Sequence, residues 1–358
     1  MKPQRKGKSA LGLDLGHHRI KAIELDGTPS GWKVLRAASI PTPADAVKEG
    51  VIIDVPAVTA AIKQLLKEGK FSQSKALIAA AGGSVFVRSV PFPKMNEATL
   101  RKTIRFEASR YVPGSVEESY IDFSIVDQKG EQMNVLVVAA PRDIVATRIA
   151  AVEAAGLEVE AVDVEAFAMY RALLETTDQA LTHPSTAIVD IGAASTSVSV
   201  VHESSFSMNR SIPYGGNTLT EALKNYFKLS SQDAEEGKAQ LNLAELIDAD
   251  GPRENPPLRV IQPHLDDLVR EVRRSLNYFQ SQSGDGQNGR KVEAIIVSGG
   301  GAKLEGTDVY LAHKLGLPVS RLGLYDHPAV LSNESGDEKG LDYVVAGGLA
   351  MRSGLKAA

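Results

Sequence analysis

Three short turns carry the residue types that handle phosphate and cations: Asp14-Leu15-Gly16, Asp190-Ile191-Gly192 and Gly299-Gly300-Gly301. Each closes a run of apolar residues that reads as a strand. Glycine lets a ligand approach the backbone, and exposed N–H groups in such turns attract phosphate oxygens. An aspartate beside phosphate holds a divalent cation, directly or through water. Two such turns facing each other would clamp a polyphosphate with its Mg²⁺, and the glycine triplet would offer a flat surface to a base. Each element alone also reads as an ordinary tight turn; their order and strand context join them. Competing chemistries fail. Gly301 to Gly306 has the spacing of a phosphate-binding G-x-x-x-x-G loop, but Thr307 follows where Lys is required. Gly299 to Gly306 does not fit G-x-G-x-x-G, and there is no G-x-S-x-G or H-E-x-x-H. The histidines are scattered except for His17-His18, which read as turn residues or, if the turn gathers both rings, a metal pair.

The elements needed to position these turns follow from hydrophobic period. Leu11, Leu13 and Leu15, then Ile20, Ala22, Ile23 and Leu25, form a hairpin around Gly16 to Arg19. Ile188, Asp190 and Gly192 repeat this pattern about half a chain later, which suggests an internal duplication into two facing halves. Helices are expected over 57–68, 97–111, 144–155, 166–174, 218–227, 231–241 and 264–281. The last shows Leu265, Leu268, Val269, Val272, Leu276 and Phe279 on one stripe. Strands are expected over 76–81, 120–126, 135–140, 157–164 and 292–297, the last running into Ser298-Gly299. Pro91 and Pro93 mark a crossing loop, 251–257 a second loop, and 283–290 a Gly-rich mobile one. The division is a first half over 1–88 and 158–184, an inserted α+β unit over 89–157, and a second half over 185–358. The second half holds a subdomain at about 218–290, and the domain boundary is placed at 177–184.

The 358 residues carry 40 Lys plus Arg against 44 Asp plus Glu, a net charge of −4, which excludes a chain-wide nucleic-acid footprint. Zero cysteines exclude disulfide scaffolds, thiolate metal sites and cysteine nucleophiles. Aromatics are 5% of residues within a hydrophobic total of 43%, so the core must be aliphatic. No apolar run approaches the roughly 20 residues of a membrane span. Lys2, Arg5, Lys6 and Lys8 make a basic terminus, solvated or weakly drawn to anionic lipid, and Asp14 interrupts any signal-like run.

Taken together, the three turns resemble the actin-like ATPase superfamily of actin, Hsp70, sugar kinases and FtsA: Asp14-x-Gly16 and Asp190-x-Gly192 with Ser195 and Thr196 as phosphate loops, Ser298 to Gly301 as the adenosine loop. Within it, the chain is most similar to the PilM family of type IV pilus assembly. Phe106 to Pro113, Val164 to Ala168, Ile212 to Asn217, Glu271 to Leu276 and Gly347 to Ala350 carry that likeness in family order. The resemblance implies an α/β actin-like fold, two similar halves flanking a nucleotide cleft, with an FtsA-type 1C subdomain inserted in the first half. It implies ATP and Mg²⁺ as ligands, with Asp14 and Asp190 holding the metal through water. Gly16, His17, His18, Gly192 and Ser195 would cradle phosphates, with Lys21 and Thr196 beside them. Gly215 and Gly216 would flank the nucleotide, Glu235 and Lys238 contact the ribose (or form only a solvated helix face), and Gly299, Gly300 and Gly301 face the adenosine. His17-His18 departs from the family's small Ser or Thr residues. With no residue evident to position an attacking water, slow or negligible hydrolysis is expected. The implied role is a cytoplasmic adaptor at the inner membrane. It would bind the N-terminal tail of a PilN-like protein in a groove between the main domain and the 1C subdomain, and through it meet PilO and the pilus motors. Three rivals are a small-molecule kinase of the superfamily, a type II secretion platform domain, and a filament-forming FtsA-like protein. The second family's chain continues into a transmembrane helix, and FtsA ends in an amphipathic helix; neither feature is evident before Ala358.

Overall fold

A computed structural model describes residues 9–28, 31–112, 114–175, 183–247, 255–282, 291–332 and 340–353. The basic residues 2–8, most of the expected boundary at 177–184 and the 283–290 segment lie outside them. The first part of the chain forms β1 (Ala10–Leu15), β2 (Arg19–Thr28), β3 (Gly31–Pro41), the short β4 (Val47–Lys48) and β5 (Val51–Ile52), helix α1 (Val55–Glu68) and β6 (Lys75–Ala80). Then come β7 (Phe86–Pro93), α2 (Glu97–Ala108), β8 (Ser119–Lys129), β9 (Gln132–Pro141), α3 (Arg142–Ala154), β10 (Glu158–Val164) and α4 (Glu165–Leu173). The rest comprises β11 (Ser185–Ile191), β12 (Thr196–His202), β13 (Ser205–Ile212), α5 (Gly216–Phe227), α6 (Ser231–Ala239) and α7 (Pro256–Ser281). After these follow β14 (Ala294–Ser298), α8 (Thr307–Leu315), β15 (Val319–Arg321), β16 (Val330–Leu331) and α9 (Val344–Arg352).

Two large sheets repeat one plan. In the first, the antiparallel meander β1-β2-β3 is extended from β1 by parallel β6 and β10. In the second, the meander β11-β12-β13 is extended from β11 by parallel β14 and β15. The duplicated hairpins are therefore the centres of two matching sheets. The second sheet continues further, from β13 through β7 and β9 to β8. The α2 helix packs Leu100, Ile104 and Ala108 against this extension, beside Val135 and Val137. Its N-cap is Asn96, whose side chain accepts from Thr99 N at 2.8 Å.

Helix α3, expected within the inserted unit, buries Ala151 and Val152 in the core of the first sheet with Ile62 and Leu65 of α1. Helix α9 lies across β1 and α4. A Cβ at Gly12 would overlap the Ala346 carbonyl, and one at Gly348 the Ala168 carbonyl, so both glycines permit close backbone contact. This explains why β1 is buried on both faces rather than alternating.

Three local expectations change. Pro91 and Pro93 lie within β7, not in a loop: β13 pairs β7 only at Val87 and Arg88, so the prolines sit where that edge has no ladder partner to lose. The long helix starts at Pro256, two turns before His264 and within the expected 251–257 loop; Pro256 and Pro257 occupy its first turn, where no N–H partner is needed. Helix α2 ends at Ala108, and Tyr111 follows in a turn.

Candidate functional site

The two central hairpins point their turns at each other across a cleft of about 510 Å³, within the size range of small-molecule sites. The aspartates are equivalent by register: each is the penultimate residue of its strand, Asp14 opposite Lys21 and Asp190 opposite Ser197. That one difference separates their chemistry. Lys21 Nζ donates to Asp14 Oδ2 at 2.9 Å, with both side chains mostly covered. Burial alone would lower the Lys21 pKa, but the Asp14 charge and hydrogen bond, with Asp342 and Asp190, hold it above the usual lysine value. Asp190 has no such cation bonded to it across the hairpin. Burial pushes its carboxyl up to about 6, Lys21 opposing and Asp14 adding to the rise.

The turns are fixed by their carbonyls. Thr42 Oγ1 donates to the Gly16 carbonyl at 2.7 Å, and Thr42 N to the His18 carbonyl at 3.0 Å. In the second turn Gly192 N donates to the Ser195 carbonyl, while Gly216 N and Asn217 N donate to the Gly192 and Ala193 carbonyls, all at 2.9 Å. The start of α5 is thus spent on shaping the second turn. At the third turn Gly299 has φ +88°, and a Cβ there would meet Asp190 Oδ1 at 2.5 Å and the Ile191 carbonyl at 2.7 Å. Gly300 has nothing within 4 Å of such a Cβ; its backbone is open.

The cleft is lined by Asp14, Gly16, His17, His18, Lys21, Asp190, Gly192, Ser195, Gly215, Gly216, Glu235, Lys238, Gly299, Gly300 and Gly301. Thr196 does not line it: the residue is fully buried and its hydroxyl donates to the Tyr214 carbonyl at 2.7 Å, bracing the loop from behind. Glu235 and Lys238 form a closed group rather than a freely solvated face. Lys238 Nζ donates to Glu235 Oε2 at 2.7 Å and Thr220 Oγ1 at 2.9 Å, and Thr220 Oγ1 donates to the same carboxylate oxygen. Burial would raise the Glu235 pKa, but these bonds, with the Lys238 and His18 charges, hold it below its usual value. His17 is partly enclosed, and burial together with Arg148 lowers its pKa, so it is neutral at pH 7.

Several polar residues in the cleft carry no role in the sequence reading, Glu165 and Arg148 among them. Glu165 begins α4 directly after the parallel strand β10, the end of a strand where sites gather in α/β sheets. That position, just inside a stretch bearing the family resemblance, is the signal available in the sequence. Burial first, then the Asp14 and Asp190 charges, push its carboxyl up to about 8 against Arg148 and Lys21. Arg148 of α3 also lines the cleft and is 2% exposed; no local pattern marks it. The lining also holds the leucines Leu219, Leu243, Leu265, Leu268 and Leu304, which belong to the apolar cluster of the second half. The second half therefore offers apolar surface for a flat ring, and the first half contributes the charged side chains Asp14, Lys21, Arg148 and Glu165. Turn backbone, an open Gly300 and an acid free of a bonded cation together fit a nucleotide with its metal.

Comparison with known proteins bears on the family and the fold. The family description "Type IV pilus assembly protein PilM" matches residues 12–354. Among solved structures, the chain is similar to that of the PilM–PilN type IV pilus biogenesis complex, with a TM-score of 0.84 and 29% identity over 99% of this chain and 100% of that one. MreB5 of Spiroplasma citri bound to AMPPNP shares the fold, with a TM-score of 0.52 and 15% identity over 95% of this chain and 94% of that one. The cell division protein FtsA of Bacillus subtilis (strain 168) is 22% identical over 260 residues, 65% of this chain; the match spans 58% of the length of that relative. The architecture is the mixed α/β actin-like ATPase fold. Since the family match runs over nearly the whole chain, the protein belongs to the PilM family of type IV pilus assembly proteins.

Proposed function

We propose that the cleft binds Mg·ATP and that the protein is a cytoplasmic adaptor of the type IV pilus platform, engaging the N-terminal tail of a PilN-like membrane protein. The observation that carries this is the likeness over 99% of the chain to the chain solved in a PilM–PilN complex, and the glycine turns and two aspartates lining the cleft support it. Among the described residues no helix is long and apolar enough to cross a membrane, so attachment at the inner membrane would come through the partner, and PilO and the motors would be reached through it.

In this reading the base lies against the cleft leucines beside Gly299 to Gly301, and Glu235 and Lys238 flank the ribose. The phosphates lie between the Gly16–His18 and Gly192–Ser195 turns. Among the described residues no group of three or more acids or histidines forms a metal cage. Mg²⁺ would therefore be held by phosphate oxygens and by water bonded to Asp190 and Asp14. The bound metal would draw charge from the phosphates, and Glu165 would orient water near them. Its raised pKa keeps it largely protonated at pH 7, so hydrolysis is slow and the nucleotide acts chiefly as a conformational ligand. For the domains we propose halves at 1–88 with 158–184 and at 185–358. The 1C-type unit, around 89–157, has its sheet and α2 at its centre.

The test is calorimetric titration of Mg·ATP into the purified protein, alone and with a PilN-like N-terminal peptide. The expected result is binding of both, with peptide affinity changed by nucleotide; the ratio is the coupling between the sites. Peptide binding with no ATP binding would remove the nucleotide half of the reading. ATP binding with no peptide binding would remove the adaptor half.

A further inference from the structure

Arg148 is the largest of the fully buried side chains. A guanidinium has five N–H donors and stays charged at any working pH. Here Nε donates to the Gly50 carbonyl at 3.0 Å and Nη1 to the Ala79 carbonyl at 3.2 Å. No described carboxylate is bonded to it; Glu165 and Asp14 act on it only at longer range. A buried charge without a bonded counter-ion is costly to keep. The side chain nevertheless lines the cleft, and its two carbonyl bonds aim the rest of the fork.

The fork is also held still. Gly50 lies in the turn between β4 and β5, and Ala79 in the central part of the first half's sheet. The neighbouring Thr147 Oγ1 accepts from Ile52 N at 3.2 Å, so α3 is pinned to that turn at two successive residues. Groups fixed in this way bind anions with little ordering cost. Position along the cleft decides which anion. The leucines of the lining belong to the second half, whereas Arg148, Asp14 and Glu165 belong to the first. A nucleotide with its base among those leucines would direct the far end of its phosphate chain toward the first half, where Arg148 lines the cleft.

We propose that Arg148 donates to the terminal phosphoryl group of a nucleoside triphosphate, so that the cleft separates triphosphate from diphosphate. This rests on the nucleotide reading above and adds a discriminating residue to it. Planar guanidinium donors match phosphate oxygens in pairs, which a lysine ammonium does not reproduce.

The test titrates Mg·ATP and Mg·ADP into the wild-type chain and Arg148→Lys. Loss of a charge-assisted bond is expected to weaken ATP roughly tenfold and leave ADP within about threefold. Since a change at a buried site also risks the fold, the wild-type protein supplies a second readout. With ¹⁵N-arginine labelling, the Arg148 side-chain resonances should shift with Mg·ATP and stay in place with Mg·ADP. Equal weakening of both nucleotides, or resonances that ignore ATP while ATP binds, would overturn the role of Arg148 and leave the nucleotide site standing. A wild-type chain that binds neither nucleotide would overturn both.

Discussion

Replacing Asp190 by Asn should make the free protein more stable while abolishing Mg·ATP binding. The magnitude follows from the position of the carboxylate. Asp190 lies at the cleft end of β11, where burial raises its carboxyl pKa from 3.8 to about 6, a difference of about 2 in pKa, or ~3 kcal/mol. The sign is set by proton linkage. An acid whose pKa is raised on folding keeps its proton longer in the native state, so its stability is present below 3.8 and is lost as pH rises through about 6. Asn mimics the protonated form at every pH. Its advantage should therefore be ~3 kcal/mol at pH 8 and about half that at pH 5. Thermal melts of both proteins at the two pH values measure this as a gain of a few degrees at pH 8 that shrinks at pH 5. Calorimetry on the same samples reads nucleotide binding. A variant no more stable at pH 8, or one with an equal gain at pH 5, would refute the claim that the cleft holds Asp190 ionised at a cost.

Removing the partner of the other aspartate should act in the opposite direction. Lys21→Met leaves Asp14 covered and unpaired and should destabilise by about 2–4 kcal/mol; a double-mutant cycle with Asp14→Asn should recover part of the loss. Gly299→Ala should lower the melting temperature and remove nucleotide binding, since its Cβ would meet Asp190 Oδ1 at 2.5 Å at a φ of +88°. Gly300→Ala, with open space at that position, should keep the melting temperature and lower only affinity. Any residual ATP hydrolysis should rise as pH climbs through about 8, where Glu165 loses its proton; phosphate release by Glu165→Gln should show no such rise.

Local pattern was informative where function and turn chemistry coincide. Asp14-x-Gly16, Asp190-x-Gly192 and the Gly299 triplet each sit at the end of an apolar run, and all three reach the cleft. Their partition into two matching sheets was legible because the hairpins repeat. Arg148 was not legible, and Glu165 only by its place after β10, because their positions in the cleft depend on where distant segments return: α3 and α4 reach the cleft through the packing of the first sheet. Thr196 shows the converse. Its neighbour Ser195 faces the cleft, but alternation along β12 turns the Thr196 hydroxyl inward to the Tyr214 carbonyl. Pro91 and Pro93 misled for a related reason. Proline rules depend on which edge of a strand is paired, and that edge is set by β13, more than a hundred residues away.

The join between β13 and β7 has a mechanical meaning. Strand β7, which leads from the first half into the proposed inserted unit, pairs with the second sheet at Met208–Arg88 and Asn209–Val87, and Arg88 also lies over the Tyr278 ring. Asn209 and Ser211, on the same strand β13, line the cleft. On the proposed division, the unit would act as a strut tied firmly to the first half and lightly to the second. If the jaws of the cleft swing, the strut must either travel with the second jaw, flexing its tie to the first, or slip its pairing with β13. A partner gripping that unit from outside would then feel the angle of the jaws, with no relay needed between them.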